Sequence, residues 1–307
     1  MASIDIRFGG YQGAFSVHNR AATVFGDTLA QALGDDLAFE LVPDVTAQGH
    51  NAVDLLDMVT SGEMTFCYFA SSYLADRVPE FALLDLPFAI RDRAQAYAML
   101  DGPLCQYLAD RIDEVADFRV VSWWDNAFRH LSNSVRPIRR PADCAGLKIR
   151  TLKSDLYMQS FSALGFEPVF YDVKDLAPAV ASGAVDAQEN AISNTYNMGI
   201  AEHHRYITLS GHFFGPAVVL CHKQTYDGWP AEVRMAVDTA LATATAAQRE
   251  FAATEETSVI AKFDPAHNEV ITLSEDERAE FAAAVQPIVE ATVGRFRDQL
   301  FEFLPKS

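Results

Sequence analysis

Apolar positions in the first half of the chain switch between two periods. In IDIRFGG (4–10) every second residue is apolar, which predicts a strand. In SVHNRAATVFGDTLAQAL (16–33), Val17, Ala21, Val24, Phe25, Thr28, Leu29 and Leu33 fall near helical spacing, which predicts a helix. AFELVP (38–43) predicts a second strand. GHNAVDLLDMVTSG (49–62) predicts a second helix ending at Gly62, and MTFCYF (64–69) a nearly all-apolar third strand suited to the middle of a parallel sheet. Strand, helix, strand, helix, strand with short connections implies an open, right-handed, doubly wound α/β sheet.

The pattern then repeats. FRVVSWW (118–124), FRHLSNS (128–134), GLKIRT (146–151), EPVFYD (167–172) and VDAQEN (185–190) read as strands, with helices over KSDLYMQSFSALG (153–165) and KDLAPAVASG (174–183). YITLSG (206–211) and AVVLCHK (217–223) are further strands. From Pro230 a stretch rich in Ala, Glu, Thr and Gln predicts a long helix, and 273–304 a last one, starting at Ser274 with Glu277 in its first turn. Two α/β modules followed by helices imply two lobes. Ligands of open α/β sheets sit beyond the carboxyl ends of the strands, so two facing lobes would frame one cleft.

Composition narrows the function. Half of the 307 residues are hydrophobic, which excludes disorder, and no window approaches the length of an apolar membrane span. The start, MASIDIRFGG, has no basic, apolar and cleavage regions in series, so no leader peptide is read from it. A net charge of −18 argues against nucleic acid and anionic membrane surfaces as partners. An anionic ligand would need a local cationic pocket. Cys67, Cys105, Cys144 and Cys221 lack metal-ligand spacing, and Cys67 and Cys221 lie inside apolar runs as expected of buried thiols. No cofactor or metal is implied. Phosphate-loop, dinucleotide-binding and nucleophile-elbow motifs are absent from the sequence.

Arg150 is the conspicuous residue, because GLKIRT puts a guanidinium at the end of a buried strand. Arg129 lies in the strand-like FRHLSNS and Asn190 ends VDAQEN. Two guanidinium groups and an amide at strand ends would receive a carboxylate, since arginine donates in a planar fork and asparagine can meet a neighbouring hydroxyl or keto group. The plainer alternative pairs each arginine with a surface acid. Glu189 and Asp186 could serve an enzyme as an acid–base pair, but at i and i+3 of one strand they face opposite sides. His203–His204 reads as a solvated helix end. In FASSYLAD (69–76), the serines and first-turn N–H groups of an expected helix would suit an anion or hydroxyl.

GLKIRTLKSDLYMQSFSALGFEPV, ASGAVDAQEN, RHLSNSVRPIRRPADCAGLKIR, DLPFAI and YITLSGHFF together resemble the DctP-like solute-binding proteins of TRAP (tripartite ATP-independent periplasmic) transporters. The resemblance implies a two-lobed binding-protein fold, with lobe one at 1–123 plus 213–253, lobe two at 124–212 plus 254–307, and long crossing helices. It implies capture of a small organic acid, aromatic or bearing a hydroxy or keto group, and delivery to the transporter's membrane subunits, with no chemistry, no membrane insertion and a periplasmic location. Arg150 matches the family's carboxylate clamp, and Arg129 and Asn190 match positions that touch ligand. Tyr11, Gln12, Ser71 and Phe213 are further ligand-binding candidates by the same match. Val173 stands where many relatives carry an aromatic. The competing reading is an α/β enzyme acting on a small carboxylic acid, with Glu189 or a histidine as base.

Overall fold

The computed structural model describes residues 4–296. Its first strands and helices are β1 (Ile4–Gly9), α1 (Val17–Leu33), β2 (Leu37–Val42), α2 (Asp54–Ser61), β3 (Phe66–Ala70), α3 (Arg93–Leu100) and α4 (Pro103–Val115). There follow β4 (Phe118–Asn133), β5 (Lys148–Thr151), α5 (Asp155–Ala163), β6 (Glu167–Phe170), α6 (Val173–Ala181), β7 (Ala187–Ala191) and α7 (Ile192–Asn197). The chain continues through β8 (Tyr206–His222), α8 (Lys223–Gly228), α9 (Ala231–Ile260), β9 (Glu269–Thr272) and α10 (Glu275–Gly294). Residues 297–304 of the expected last helix lie outside the described residues.

Packing divides the chain into two units. The first holds the described residues up to Pro79, with Leu100–Asp125 and Pro216–Ala253. The second holds Glu80–Met99, Asn126–Gly215 and the described residues from Thr254. Residues 80–99 therefore group with the second unit, although the sequence reading put them in the first lobe. Contacts inside the second unit account for this. Phe88 stacks on Phe281 at 6.2 Å, its N–H donates to the His212 carbonyl at 2.8 Å, and Arg278 Nη2 donates to the Ile90 carbonyl at 3.1 Å.

Each unit contains three parallel strands followed by an antiparallel one, and in the second unit β9 also pairs parallel with the early part of β8. In the first, β1 lies between β2 and β3, parallel to both, and β3 pairs antiparallel with the later part of β8. In the second, β5 lies between β6 and β7, parallel to both, and β7 pairs antiparallel with β4. The first three strands are parallel as the sequence reading expected, and the antiparallel strand makes each sheet mixed. The segments read as four separate strands are two long ones, β4 and β8. Polar Asp125 and Asn126 interrupt the apolar pattern of β4, yet both are buried. Gln248 of α9 takes over the Asp125 backbone, its Oε1 accepting from the Asp125 N–H at 2.8 Å and its Nε2 donating to the Asp125 carbonyl at 2.6 Å.

The core of the first unit joins Ile6, Phe8, Phe25, Leu29, Phe66, Tyr68 and Trp124 to Val237 and Leu241 of α9. That of the second joins Leu131, Ile149, Tyr157, Phe161, Phe166 and Phe213 to Phe281 and Val285 of α10. Capping follows the sequence. Gly62 ends α2 at φ 77°, in the left-handed region, and Ser274 and Glu277 form a reciprocal capping box at the start of α10.

Gly10 closes β1 because nothing larger fits. A Cβ there would come within 2.6 Å of both the Pro43 carbonyl and the Tyr68 ring, and 2.8 Å of Asn19 Oδ1. Two of these obstacles are backbone or a fully buried ring, so neither yields easily. Gly10→Ala is expected to lower stability by ~2–3 kcal/mol through overpacking, measured as a reduced denaturation midpoint at unchanged slope. An unchanged midpoint would contradict this packing.

Candidate functional site

Strand alternation in the second unit sorts the candidate residues onto two faces. Arg150 of β5 is in register with Gln188 of β7, so it shares a face with Gln188 and Asn190. Arg129 of β4 is opposite Ala191, so it shares the other face with Glu189 and Thr151. Arg150 and Asn190 are brought together by this register, and Arg129 is turned away from them.

Arg150 is 1% exposed. Its Nε and Nη2 both donate to the Tyr171 carbonyl, at 2.9 and 2.8 Å, which fixes the plane of the fork. Asn190, 4% exposed, accepts at Oδ1 from the Ala191 N–H and from Asn194 Nδ2, each at 3.0 Å. A backbone N–H can only donate, so the atom facing it is the oxygen, and the amide NH₂ is directed elsewhere. An oriented guanidinium and an oriented amide donor on one face suit an anionic or carbonyl oxygen.

Arg129 does pair with an acid, as the plainer alternative had it, but in the interior. Its Nε donates to Glu189 Oε2, and its Nη2 donates to Glu189 Oε1 at 2.9 Å and to the Glu189 carbonyl at 3.1 Å. Thr151 Oγ1 donates to Glu189 Oε1 at 3.1 Å, and His212 Nε2 lies 3.6 Å from Oε2. Burial alone would raise the Glu189 carboxyl, but the Arg129 charge and hydrogen bonds, with His212 close by, hold it well below the usual carboxylate range. Burial lowers His212 to about 4 despite Glu189. Arg129 also lies over the Tyr157 ring, 5.9 Å from its centroid, and the Tyr157 hydroxyl donates to Asp85 Oδ1 at 3.1 Å. Burial lifts Asp85 to about 7, against the Tyr157 hydrogen bond and the Arg129 charge.

The remaining candidates are dispersed. Phe213 is 1% exposed and stacks on Tyr157 at 4.1 Å, a member of the core. In the first unit, Tyr11 packs its ring on Tyr68 and Phe69, and the Gln12 carbonyl accepts from Asn19 Nδ2 at 2.7 Å. Ser71 is buried with no hydrogen-bond partner for its Oγ, at the start of a 3₁₀ segment, Ser71–Asp76, where an ordinary helix was expected. His204 is no solvated helix end. It is 1% exposed, Nδ1 meets Ser132 Oγ at 2.9 Å, and burial lowers it to about 4. All four cysteines are free and buried, and no metal-binding cluster occurs among the described residues. Asp85, Tyr157, His212 and Asn194 were not singled out from sequence. Only the i, i+4 spacing of Asn190 and Asn194 carried a readable signal.

The sequence model of the family described as bacterial extracellular solute-binding protein, family 7 (DctP), matches residues 8–295. The chain belongs to that family. Among similar proteins, a solute-binding protein of Verminephrobacter eiseniae is 34% identical over 176 residues. That alignment covers 57% of this chain and 52% of the relative, about half its length. The 2,3-diketo-L-gulonate-binding periplasmic protein YiaO of Escherichia coli K12 is 29% identical over 272 residues, 89% of this chain and 82% of the relative. The crystal structure of a TRAP periplasmic solute-binding protein from Bordetella, with density assigned to pantoate, is 25% identical. It superposes with a TM-score of 0.90 over 98% of each chain, so this DctP-family chain has the two-lobed α/β fold of TRAP solute-binding proteins.

The buried acid of this DctP-family chain gives a pH test. Asp85 moves from 3.8 to about 7 on folding, so the native state keeps a proton that the unfolded chain has released. Its contribution is full below pH ~4, declines as pH rises toward ~7, and is level above that. Asp85→Asn cannot ionise and can still accept from Tyr157. Relative to wild type it is expected to gain on the order of 1–3 kcal/mol between pH 4 and pH 8, read by denaturation at both pH values. His212 acts in the opposite sense over part of this window but is common to both proteins. An equal difference at the two pH values would show that Asp85 ionises normally.

Proposed function

We propose that the protein captures a small organic carboxylate in the periplasm and delivers it to the membrane subunits of a TRAP transporter. The observation that carries this reading is the shared face of Arg150 and Asn190, where a buried planar fork lies alongside an amide turned to donate. In this reading Arg150 holds the carboxylate, and Asn190 donates to the oxygen next to it. Arg129, on the opposite face with its Nε and Nη2 committed to Glu189, has a supporting part in this reading through that pair and makes no contact with the ligand. Tyr11, Gln12 and Ser71 are proposed as ligand contacts within the first unit, and Phe213 as a support behind Tyr157.

A monocarboxylate with a hydroxy or keto group is the favoured class. The donor orientation of Asn190 supports it, as do the diketo-acid named for the E. coli relative and the pantoate of the Bordetella structure. An aromatic acid has less support, because Trp124, Tyr157 and Phe213 are spent in the cores. The enzyme reading needs a base near the reacting carbon. Of the bases offered by the sequence, Glu189 or a histidine, Glu189 is held ionised by Arg129 and is a poor proton acceptor as a result.

Arg150→Lys keeps the charge but loses the fork. Calorimetry with an acid that binds the wild type is expected to show affinity reduced on the order of 10- to 100-fold, the loss of one charge-assisted hydrogen bond. Unchanged affinity in a folded variant would remove Arg150 from the site.

A further inference from the structure

The side chain beside Asn190 sets what Asn190 can recognise. Asn194 lies one helical turn along in α7, and its Nδ2 donates to Asn190 Oδ1 at 3.0 Å. The Ala191 N–H donates to the same oxygen at 3.0 Å. Two donors on one oxygen make the reversed amide costly, since reversal would set NH₂ against the Ala191 N–H, which can only donate, and against Asn194 unless that amide turned as well. The position of Asn194 is itself held from beneath. Gln188, fully buried, donates through Nε2 to Thr195 Oγ1 at 3.1 Å and to Ser132 Oγ at 2.7 Å, and Thr195 Oγ1 donates to the Ala191 carbonyl at 3.3 Å. The turn that carries Asn194 is thereby tied to the strand that carries Asn190.

We propose that Asn194 is a specificity-determining positioning residue, locking the Asn190 amide with its NH₂ outward so that the site takes 2-oxo and 2-hydroxy acids and rejects the corresponding 2-amino acids. The proposal rests on the reading that Asn190 meets the oxygen next to the ligand carboxylate. A keto or hydroxyl oxygen accepts from the outward NH₂. An ammonium at the same carbon offers only donors, so two sets of N–H would face each other with a charge left unsatisfied. A site built around one hydrogen-bond polarity rejects the opposite one more strongly than it rejects a change of size. The discrimination expected is on the order of 100-fold, the usual consequence of leaving one buried polar group unmet.

The test uses the full chain and matched probes on two skeletons: 2-oxoisovalerate, 2-hydroxyisovalerate and valine, and oxaloacetate, malate and aspartate. Calorimetry on the wild type is expected to favour oxo and hydroxy acids over the amino acid on whichever skeleton binds. Asn194→Ala removes one of the two donors and is expected to lower the oxo-to-amino affinity ratio by about fivefold or more, with circular dichroism unchanged. A merely structural defect would weaken all probes alike and leave that ratio intact, which would overturn the proposal. So would a wild type that binds valine or aspartate as tightly as the oxo acid. Asn190→Ala separates the two levels. If it leaves the affinity for the oxo acid unchanged, or if no probe binds the wild type, the underlying reading of the site fails. If Asn190→Ala weakens binding while Asn194→Ala keeps the ratio, the reading stands and the role given to Asn194 is wrong.

Discussion

A guanidinium cannot shed its charge, so an arginine can be buried only where its donors are met. That constraint organises the second unit. Arg129 of β4 and Arg150 of β5, 3% and 1% exposed, lie on opposite faces of the same sheet, and each face is built around its arginine. On one, Glu189 closes a bidentate pair with Arg129, and Thr151, His212, Tyr157 and Asp85 pack against that pair. On the other, Arg150 is steered by the Tyr171 carbonyl beside the Asn190 amide. A buried pair such as Arg129–Glu189 adds little net stability, because desolvation offsets attraction, but breaking it would strand a charge. Its value is therefore in fixing geometry. The Arg150 face has the chemistry to receive an anion from outside.

The acidic chain makes that division useful. With a net charge of −18, the long-range field opposes an anionic ligand, and only donors at close range reverse this. Arg129 is neutralised internally by Glu189, while Arg150 is oriented by a neutral partner, the Tyr171 carbonyl. An oriented fork and an oriented amide lose little freedom on binding, so affinity can come from few contacts. The same orientation gives selectivity, since a donor that cannot turn also cannot accept.

Much of this was legible from residues. Period-two and period-3.6 patterns placed β1, α1, β2, α5 and α6, because each has one wetter and one drier face to advertise it, whereas the fully buried β3 was legible as an unbroken apolar run. The Gly62 and Ser274 ends were readable because capping is local chemistry. The continuity of β4 was hidden, since Asp125 and Asn126 look like a break and their burial depends on Gln248, far along the chain. The packing of residues 80–99 with the second unit was hidden for the same reason, as Phe88 and Asp85 find their partners only in three dimensions. Arg150 and Asn190 were visible as polar residues at the ends of segments read as strands. That Arg129 faces the other way follows from register, which no single strand reveals.

The central claim is that a carboxylate, and no neutral isostere, completes the Arg150 face. It is tested most directly by a thermal-shift screen of organic acids, each run beside its primary amide. An acid at 100-fold excess over its dissociation constant should stabilise the native state by ~2.7 kcal/mol and raise the melting temperature by a few degrees. Its amide should leave the transition where it was. Equal shifts for an acid and its amide would contradict the account, because the face would then be recognising shape without charge.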